Sequence, residues 1–238
     1  RDIEMLLDVL GLLSACSYAL DCVEAELVHV SDKHAKRVAY MSVCMAEQLG
    51  ISDESLQDLA ACALLHDNAL TQYIQEELHK DVANVPQASQ VGIHCTLGEK
   101  NIQRLPFHTD VKNVILYHHE NYDGTGYPAN LAGEKIPFGA RILRICDVYC
   151  ALTSDRPYRS AFPREQAMEL MTEEVKNFDL KMFLAFQRVI HSGSRKAIEL
   201  SDVDELIQEI IKEKTENGIK EETGYRNERY FTERNGNP

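Results

Sequence analysis

Seven histidine and aspartate side chains fall on, or at the ends of, segments with the apolar periodicity of helices. They are His34, His66, Asp67, His94, His118, His119 and Asp147. Apolar helical faces rarely accept ionisable groups unless those groups are paired or bind a metal. A single core histidine is more often a hydrogen-bonded structural residue. Five helices that each deliver a His or an Asp to the interior favour a metal site instead.

The number and spacing of these ligands predict two metal ions. Five imidazoles and two carboxylates exceed the coordination number of one tetrahedral ion, and Asp67 is suited to bridge a pair. The neighbours His66-Asp67 and His118-His119 can each reach one centre near a helix end, because adjacent residues on a helix do not share a face. The spacing is not that of a zinc finger, and HExxH is absent. Imidazole-rich ligation favours Fe or Mn, with Zn or Ni as further candidates, over Mg.

The elements that must position these ligands are predicted to be helices, with almost no strand signal. Apolar periodicity predicts helices over residues 3–29, 88–104, 109–119, 138–153, 163–175, 179–190 and 202–214. Two more helices are expected between them, one capped by Ser31-Asp32 and ending at Gly50, the other capped by Ser52 and leading into His66. Residues 120–137 contain three Gly and two Pro and are predicted to form a long functional loop.

These elements divide the chain into three parts. Residues 1–30 are an N-terminal helix, 31–190 form the helical domain, and 191–238 form a helical extension with a tail that frays from about Glu216. The chain begins with Arg1 and not with Met, which indicates a fragment or a processed chain, so a sensor domain upstream is one expectation. The apolar N-terminal helix, with Leu6, Leu10 and Leu13, either packs on the domain or pairs with a second chain as a homodimer.

Composition limits the classes of partner. The net charge is −13, and no basic stripe is visible that could neutralise the phosphates of a long nucleic acid. A small phosphorylated ligand is still compatible, because bound metal ions reverse the local field. No uncharged apolar run approaches the roughly 18 residues of a membrane helix.

The seven cysteines indicate buried thiols in a reducing, cytoplasmic compartment, because their number is odd and no CxxC pair occurs. They are Cys16, Cys22, Cys44, Cys62, Cys95, Cys146 and Cys150.

The ligands lie within a longer pattern that resembles the HD-GYP family, the divergent HD-superfamily phosphodiesterases of cyclic di-GMP. The resemblance covers about residues 20–190 and is most specific from His118 to Arg159. It rests on His34 with Arg37-Val38, Leu65-His66-Asp67, His94 with Gly98, His118-His119-Glu120, Asp123-Gly124, Gly126-Tyr127-Pro128, Leu131, Ile136-Pro137, Ala140-Arg141-Ile142, Asp147 and the run Ala151-Leu152-Thr153-Ser154-Asp155-Arg156-Pro157-Tyr158-Arg159.

The resemblance implies an all-α HD-superfamily bundle with a long GYP loop and extra C-terminal helices. It implies the same seven metal ligands, with Asp67 and His66 at the catalytic centre, and substrate contacts from Gly126, Tyr127, Arg156 and Arg159. The implied reaction is metal-assisted hydrolysis of cyclic di-GMP to pGpG, and further to GMP, with ions about 3.5–4 Å apart. A third metal of the kind some members bind is doubtful, because Val30 stands where they carry an acid.

One departure from the family separates two interpretations. The family usually continues HD with Ile-Gly-Lys, whereas this chain reads His66-Asp67-Asn68-Ala69-Leu70. Loss of that lysine would slow hydrolysis without abolishing it, so an attenuated enzyme is the first interpretation. The rivals are a cyclic di-GMP receptor with little turnover and a generic HD enzyme acting on another nucleotide. Structural roles also stay open for the glycines of the GYP loop and for Arg156 and Arg159, which could pair with acidic residues.

Overall fold

The computed structural model describes residues 9–28, 33–51, 53–72, 92–156 and 158–192. Within these ranges the chain is helical and contains no β-strand; isolated bridges join Asp123 to Ala132 and Arg156 to Arg159. The all-α fold class is therefore confirmed. No helix in the described part has the combination of length and hydropathy that membrane crossing requires. The expected helix over 202–214 and the tail lie outside the described residues.

Seven α-helices occur in the described ranges. They are α1 (Val9–Val28), α2 (His34–Gln48), α3 (Asp53–Leu64), α4 (Ile93–Ile102), α5 (Phe138–Leu152), α6 (Arg164–Glu173) and α7 (Leu180–Ser192). Two short 3₁₀ helices, Gly133–Lys135 and Val175–Asn177, precede α5 and α7. The predicted elements over 138–153, 163–175 and 179–190 correspond to α5, α6 and α7, with ends that differ by two residues or fewer.

Helix α2 lies at the centre of the bundle and contacts α1, α3, α5 and α7. Val38 and Met45 on its apolar face are completely buried, and they pack in one core with Leu56, Ile142 and Phe183. A buried ion pair between Arg141 and Asp179, with Nη1 and Oδ2 2.5 Å apart, ties α5 to the start of α7. Because the ligand-bearing helices α2 and α5 are both part of this core, the bundle holds their side chains in place.

The cap of α2 comes from another helix. Lys33 is the N-cap residue and its side chain makes no capping hydrogen bond. The N–H of Ala35, in the first turn, instead donates to the buried carboxylate of Asp21 on α1, at 3.2 Å. The expected caps Ser31-Asp32 and Ser52 lie outside the described residues. Asp21 thus fixes the position where α2 begins, and His34 is the first residue of that helix.

The helix expected over 109–119 is wrong, because residues 112–119 form a succession of turns. Asn113 adopts a φ of 66°, which a regular right-handed helix does not allow. The buried carboxylate of Glu99 on α4 accepts the N–H groups of Asn113 at 2.7 Å and Leu116 at 3.2 Å. A side chain on α4 therefore replaces the helical carbonyls as the partner of this segment.

Candidate metal centre

The described structure brings all seven predicted ligands to one site. His34 begins α2, Asp147 lies in α5, and His94 lies in the first turn of α4. His66 and Asp67 occupy the turn that follows α3, and His118 and His119 end the turn segment 112–119. The adjacent pairs thus lie where the chain leaves regular helix, which lets both members reach one centre.

The ligands form two groups. His34, His66 and Asp67 make up the first group, and each offers a ligand atom within 4.8 Å of those of the other two. The second group contains His94, His118 and His119, together with the thiol of Cys95, and its four ligand atoms satisfy the same distance. Most of these side chains are buried; His66 and His118 are completely so.

Two carboxylates connect the groups. Asp67 Oδ2 lies 3.2 Å from His66 Nε2, while Asp67 Oδ1 lies 3.7 Å from the Nε2 atoms of both His94 and His118. Asp147 Oδ1 lies 3.1 Å from His34 Nε2, and its Oδ2 lies 3.9 Å from His119 Nδ1. Asp67 therefore lies beside both groups, as a bridging ligand would, and Asp147 likewise lies near one histidine of each group.

Backbone carbonyls orient two of the imidazoles. His66 Nδ1 lies 2.8 Å from the carbonyl oxygen of Ala63, and His118 Nδ1 lies 2.6 Å from that of Ile115. Since a carbonyl only accepts, both Nδ1 atoms carry hydrogen, and in the neutral rings each Nε2 presents a lone pair to the interior. Both Nε2 atoms are buried without a hydrogen bond. This is the arrangement that metal-ligating histidines usually adopt, so the residues present fit a metal.

The pKa values of His66 and Asp67 in the protein without metal also indicate a site for a cation. Burial alone lowers the pKa of His66, but the neighbouring Asp67 carboxylate outweighs it and raises the pKa to about 10. Burial likewise would raise the pKa of Asp67, yet the charge of His66 holds it well below its usual range. The Asp67 carboxylate therefore favours the protonated form of His66 when no cation is bound. A metal ion would replace that proton, so metal binding competes with protons here.

A comparison with protein families identifies the fold. The family described as the HD domain matches residues 21–182, which is more than half of the chain. The chain belongs to the HD domain family. The span begins at Asp21, the residue that caps α2, and includes every ligand of both groups.

Curated relatives and solved structures agree with this assignment. The chain is 33% identical over 164 residues to a cyclic di-GMP phosphodiesterase of Pseudomonas aeruginosa, covering 66% of this chain and 38% of that protein. It is 33% identical over 162 residues to 3'3'-cGAMP-specific phosphodiesterase 3 of Vibrio cholerae, covering 66% and 35%. The crystal structure of a cyclic GMP-AMP-specific phosphodiesterase of V. cholerae shares the fold, with a TM-score of 0.58, 18% identity, and coverage of 85% of this chain and 53% of that chain. The resemblance to the HD-GYP branch is confirmed, and the chain spans little more than a third of the curated relatives' length.

The GYP loop of this HD domain closes over the second group. The centroid of the Tyr127 ring lies 4.8 Å from that of the His119 ring. The backbone N–H of Tyr127 donates to the backbone carbonyl of His119 at 3.3 Å. The carboxylate of Glu120 holds the loop by accepting the N–H groups of Ala129 at 2.6 Å and Leu131 at 3.0 Å. Gly126 is required by close approach, since a Cβ there would lie 2.2 Å from the Asn121 nitrogen. Gly126 therefore shapes the loop, and its predicted substrate contact stays a prediction.

The two predicted phosphate-binding arginines lie beyond the end of α5. The guanidinium of Arg159 donates to the carbonyls of Ala151 at 2.7 Å and Leu152 at 3.0 Å, and it covers the Phe162 ring. Backbone hydrogen bonds join Arg156 and Arg159 in a tight turn. In the described part of the chain, neither arginine side chain makes a hydrogen bond or an ion pair with one of the seven ligands. Their roles in binding substrate stay predictions. To bind a phosphate, the Arg159 guanidinium would have to release the backbone carbonyls to which it now donates.

Asn68, in the variant sequence after the HD pair, joins the two groups. Its side-chain nitrogen donates to the carbonyls of Leu65 at 2.7 Å and Gly98 at 3.2 Å, and its oxygen accepts from Asn101 at 2.8 Å. The turn that carries His66 and Asp67 is thereby fastened to α4, which carries His94. The Leu70 N–H donates to the Asp67 carbonyl at 2.9 Å, so residue 70 follows Asp67 by one turn.

Two residues near the site were missed by sequence reasoning. Burial raises the pKa of Asp21 to about 6, although His34 and His66 act to lower it. The signal that could have revealed Asp21 is its spacing from Ser14 and Ser17, which form a buried polar line on α1. Cys95 was interpreted as a core thiol like the other cysteines, and nothing in its own position along the chain distinguishes it.

Proposed function

We propose that this chain is a metal-dependent phosphodiesterase that hydrolyses cyclic di-GMP to pGpG, and further to GMP. The observation that carries the proposal is the pair of ligand groups linked by Asp67, with the lone pairs of His66 and His118 turned inward. Named relatives act on cyclic dinucleotides, which favours hydrolysis of this substrate class over a receptor role. We propose Fe or Mn as the two ions, with Zn or Ni as alternatives.

Each part of the site has a role in this proposal. When bound, the two ions supply Lewis-acid charge that activates a water nucleophile and stabilises the phosphate. Ala63 and Ile115 hold His66 and His118 in the required tautomer through their carbonyls. Tyr127 lies beside His119, where its ring can stack on a nucleotide base. Arg156 and Arg159 would neutralise the second phosphate of the ring.

The test uses the full chain, purified without oxygen and analysed for metal and for turnover on the same sample. We expect about two transition-metal ions per chain and conversion of cyclic di-GMP to linear pGpG. Parallel assays with 3'3'-cGAMP compare the substrates that the named relatives use. A metal-replete sample that binds cyclic di-GMP and leaves it intact would support the receptor interpretation. A sample that holds no stoichiometric metal would contradict the centre itself.

Homodimer formation is also proposed, and it uses the outer face of α1. Leu10 and Leu13 of α1 pack against the core, so part of this helix covers the domain. Its outer face exposes Leu12, Cys16, Ala19 and Val23, spaced by four, three and four residues as in a coiled-coil seam. A second copy of α1 is the partner that matches this spacing.

A reducing, cytoplasmic location also stays a proposal. It is supported by the free thiols, since five of the seven cysteines are buried and none of the seven is in a disulfide.

Light scattering of the full chain measures this association. We expect the mass of two chains for the wild type and of one chain for Leu12→Glu, because a charge in the seam opposes pairing. Leu184→Glu is the matched control, since Leu184 is an exposed leucine on α7 and should leave the dimer intact. A wild-type mass of one chain would contradict the pairing.

A further inference from the structure

The thiol of Cys95 faces the metal centre. Its Sγ lies 3.3 Å from His94 Nε2, and the residue is completely buried. One ligand atom from each of Cys95, His94, His118 and His119 lies within 4.8 Å of the other three. Among the described residues, Cys95 is the one cysteine that takes part in such a group.

The distances suit coordination of a shared ion. Two donors on one tetrahedral ion, with bonds of about 2.0–2.1 Å to nitrogen and about 2.3 Å to sulfur, lie about 3.5 Å apart. The observed separation of 3.3 Å between Cys95 Sγ and His94 Nε2 is close to that value. His118 of the same group adds an independent observation, because its Nε2 atom is buried and has no hydrogen-bond partner.

The start of α4 explains how two adjacent residues reach one centre. The helix begins at Ile93, so His94 and Cys95 both lie in its first turn. Backbone N–H groups of a first turn lack helical partners and make that end of the helix positive. Burial nevertheless raises the pKa of the Cys95 thiol, so a bound cation, and not the helix end alone, is what would stabilise the thiolate form that binds metals.

We propose that Cys95 supplies a thiolate ligand to the ion held by His94, His118 and His119. On coordination the sulfur–metal bond replaces the S–H bond, and the proton leaves to solvent. The second group then contains a soft ligand that the group of His34, His66 and Asp67 lacks. This difference favours Fe²⁺ or Zn²⁺ over Mn²⁺ at the second position. The inference rests on the proposed two-metal function and specifies one of its two sites.

Cobalt substitution tests the ligand directly, without an activity assay. The full chain, loaded anaerobically with Co²⁺, is expected to show a near-ultraviolet thiolate-to-cobalt charge-transfer band. Cys95→Ala should lose this band, while Cys62→Ala should keep it, because Cys62 is an equally buried thiol in α3 outside both groups. Zn²⁺ binding at the second position should weaken by about tenfold or more in Cys95→Ala, the scale at which even outer partners of a metal site act. Mn²⁺ binding should change much less.

The outcomes separate this inference from the proposed function. Two Co²⁺ ions bound by the wild type without the charge-transfer band would overturn the Cys95 ligand and leave the two-metal centre intact. A band that persists in Cys95→Ala would overturn it as well, since another thiol would then be the ligand. Failure of the wild type to bind Co²⁺, Zn²⁺ or Fe²⁺ in stoichiometric amounts would overturn both.

Discussion

Replacement of Asp67 by alanine is expected to remove both metal ions and to lower cyclic di-GMP turnover about a thousandfold or more. The reason is the position of the carboxylate. Its two oxygens face His66 of the first group and both His94 and His118 of the second, so one substitution removes a ligand from each ion. Metal analysis of the purified variant and an initial-rate assay measure the two effects.

Two further variants make the Asp67 result interpretable. Asp67→Asn keeps the size of the side chain but removes its charge, and we expect it to lose at least one ion while remaining folded by circular dichroism. Asp110→Ala removes an exposed acid outside both groups and should keep the metal content and rate of the wild type. A folded Asp67→Ala protein that retains two ions would refute the bridging role.

Leu70→Lys is expected to raise the turnover rate by up to about a hundredfold, with a much smaller change in affinity for cyclic di-GMP. A cation that meets charge developing in the transition state acts on turnover more than on substrate binding. Residue 70 is the position where the resembling family usually carries its lysine, and its N–H bonds to the Asp67 carbonyl one turn earlier. Steady-state kinetics of metal-loaded samples give the rate, and equilibrium binding at low temperature gives the affinity.

Leu70→Met is the matched control for the lysine variant. It adds length without charge, so its rate should stay at that of the wild type. The metal content of each variant must be measured, because a lysine near the ions can repel them. Suppose the metal-loaded wild type and Leu70→Lys both bind cyclic di-GMP with two ions and neither hydrolyses it. The enzyme proposal would then be wrong, and the receptor interpretation would replace it.

The helices of the core could be predicted from the chain alone, and so could the seven candidate ligands that the fold brings to one site. Apolar residues at helical spacing mark the faces of α2, α5 and α7, because burial of one face is what stabilises such helices. Ionisable residues on those same faces are costly without a partner, so their repeated appearance indicated a shared metal site. For α5, the expected span 138–153 and the observed Phe138–Leu152 differ by one residue.

Features that depend on a partner distant along the chain were not predictable in this way. Residues 109–119 carry helical periodicity, yet the Glu99 carboxylate on α4 captures the Asn113 and Leu116 N–H groups and turns the chain. The cap of α2 is likewise supplied by Asp21 of α1. Local pattern cannot reveal either one, since each depends on which helix faces meet after packing.

The amino-acid sequence by itself determined the helical class and the family pattern, and it predicted the seven candidate ligands, because these follow from residue type and spacing. Only the tertiary structure decided how the ligands divide into two groups and that Asp67 lies between them. It also distinguished Cys95 from six other cysteines by placing its sulfur beside His94. The physical reason is that coordination depends on distances of a few ångströms between side chains from different segments, and those distances exist only once the helices have packed.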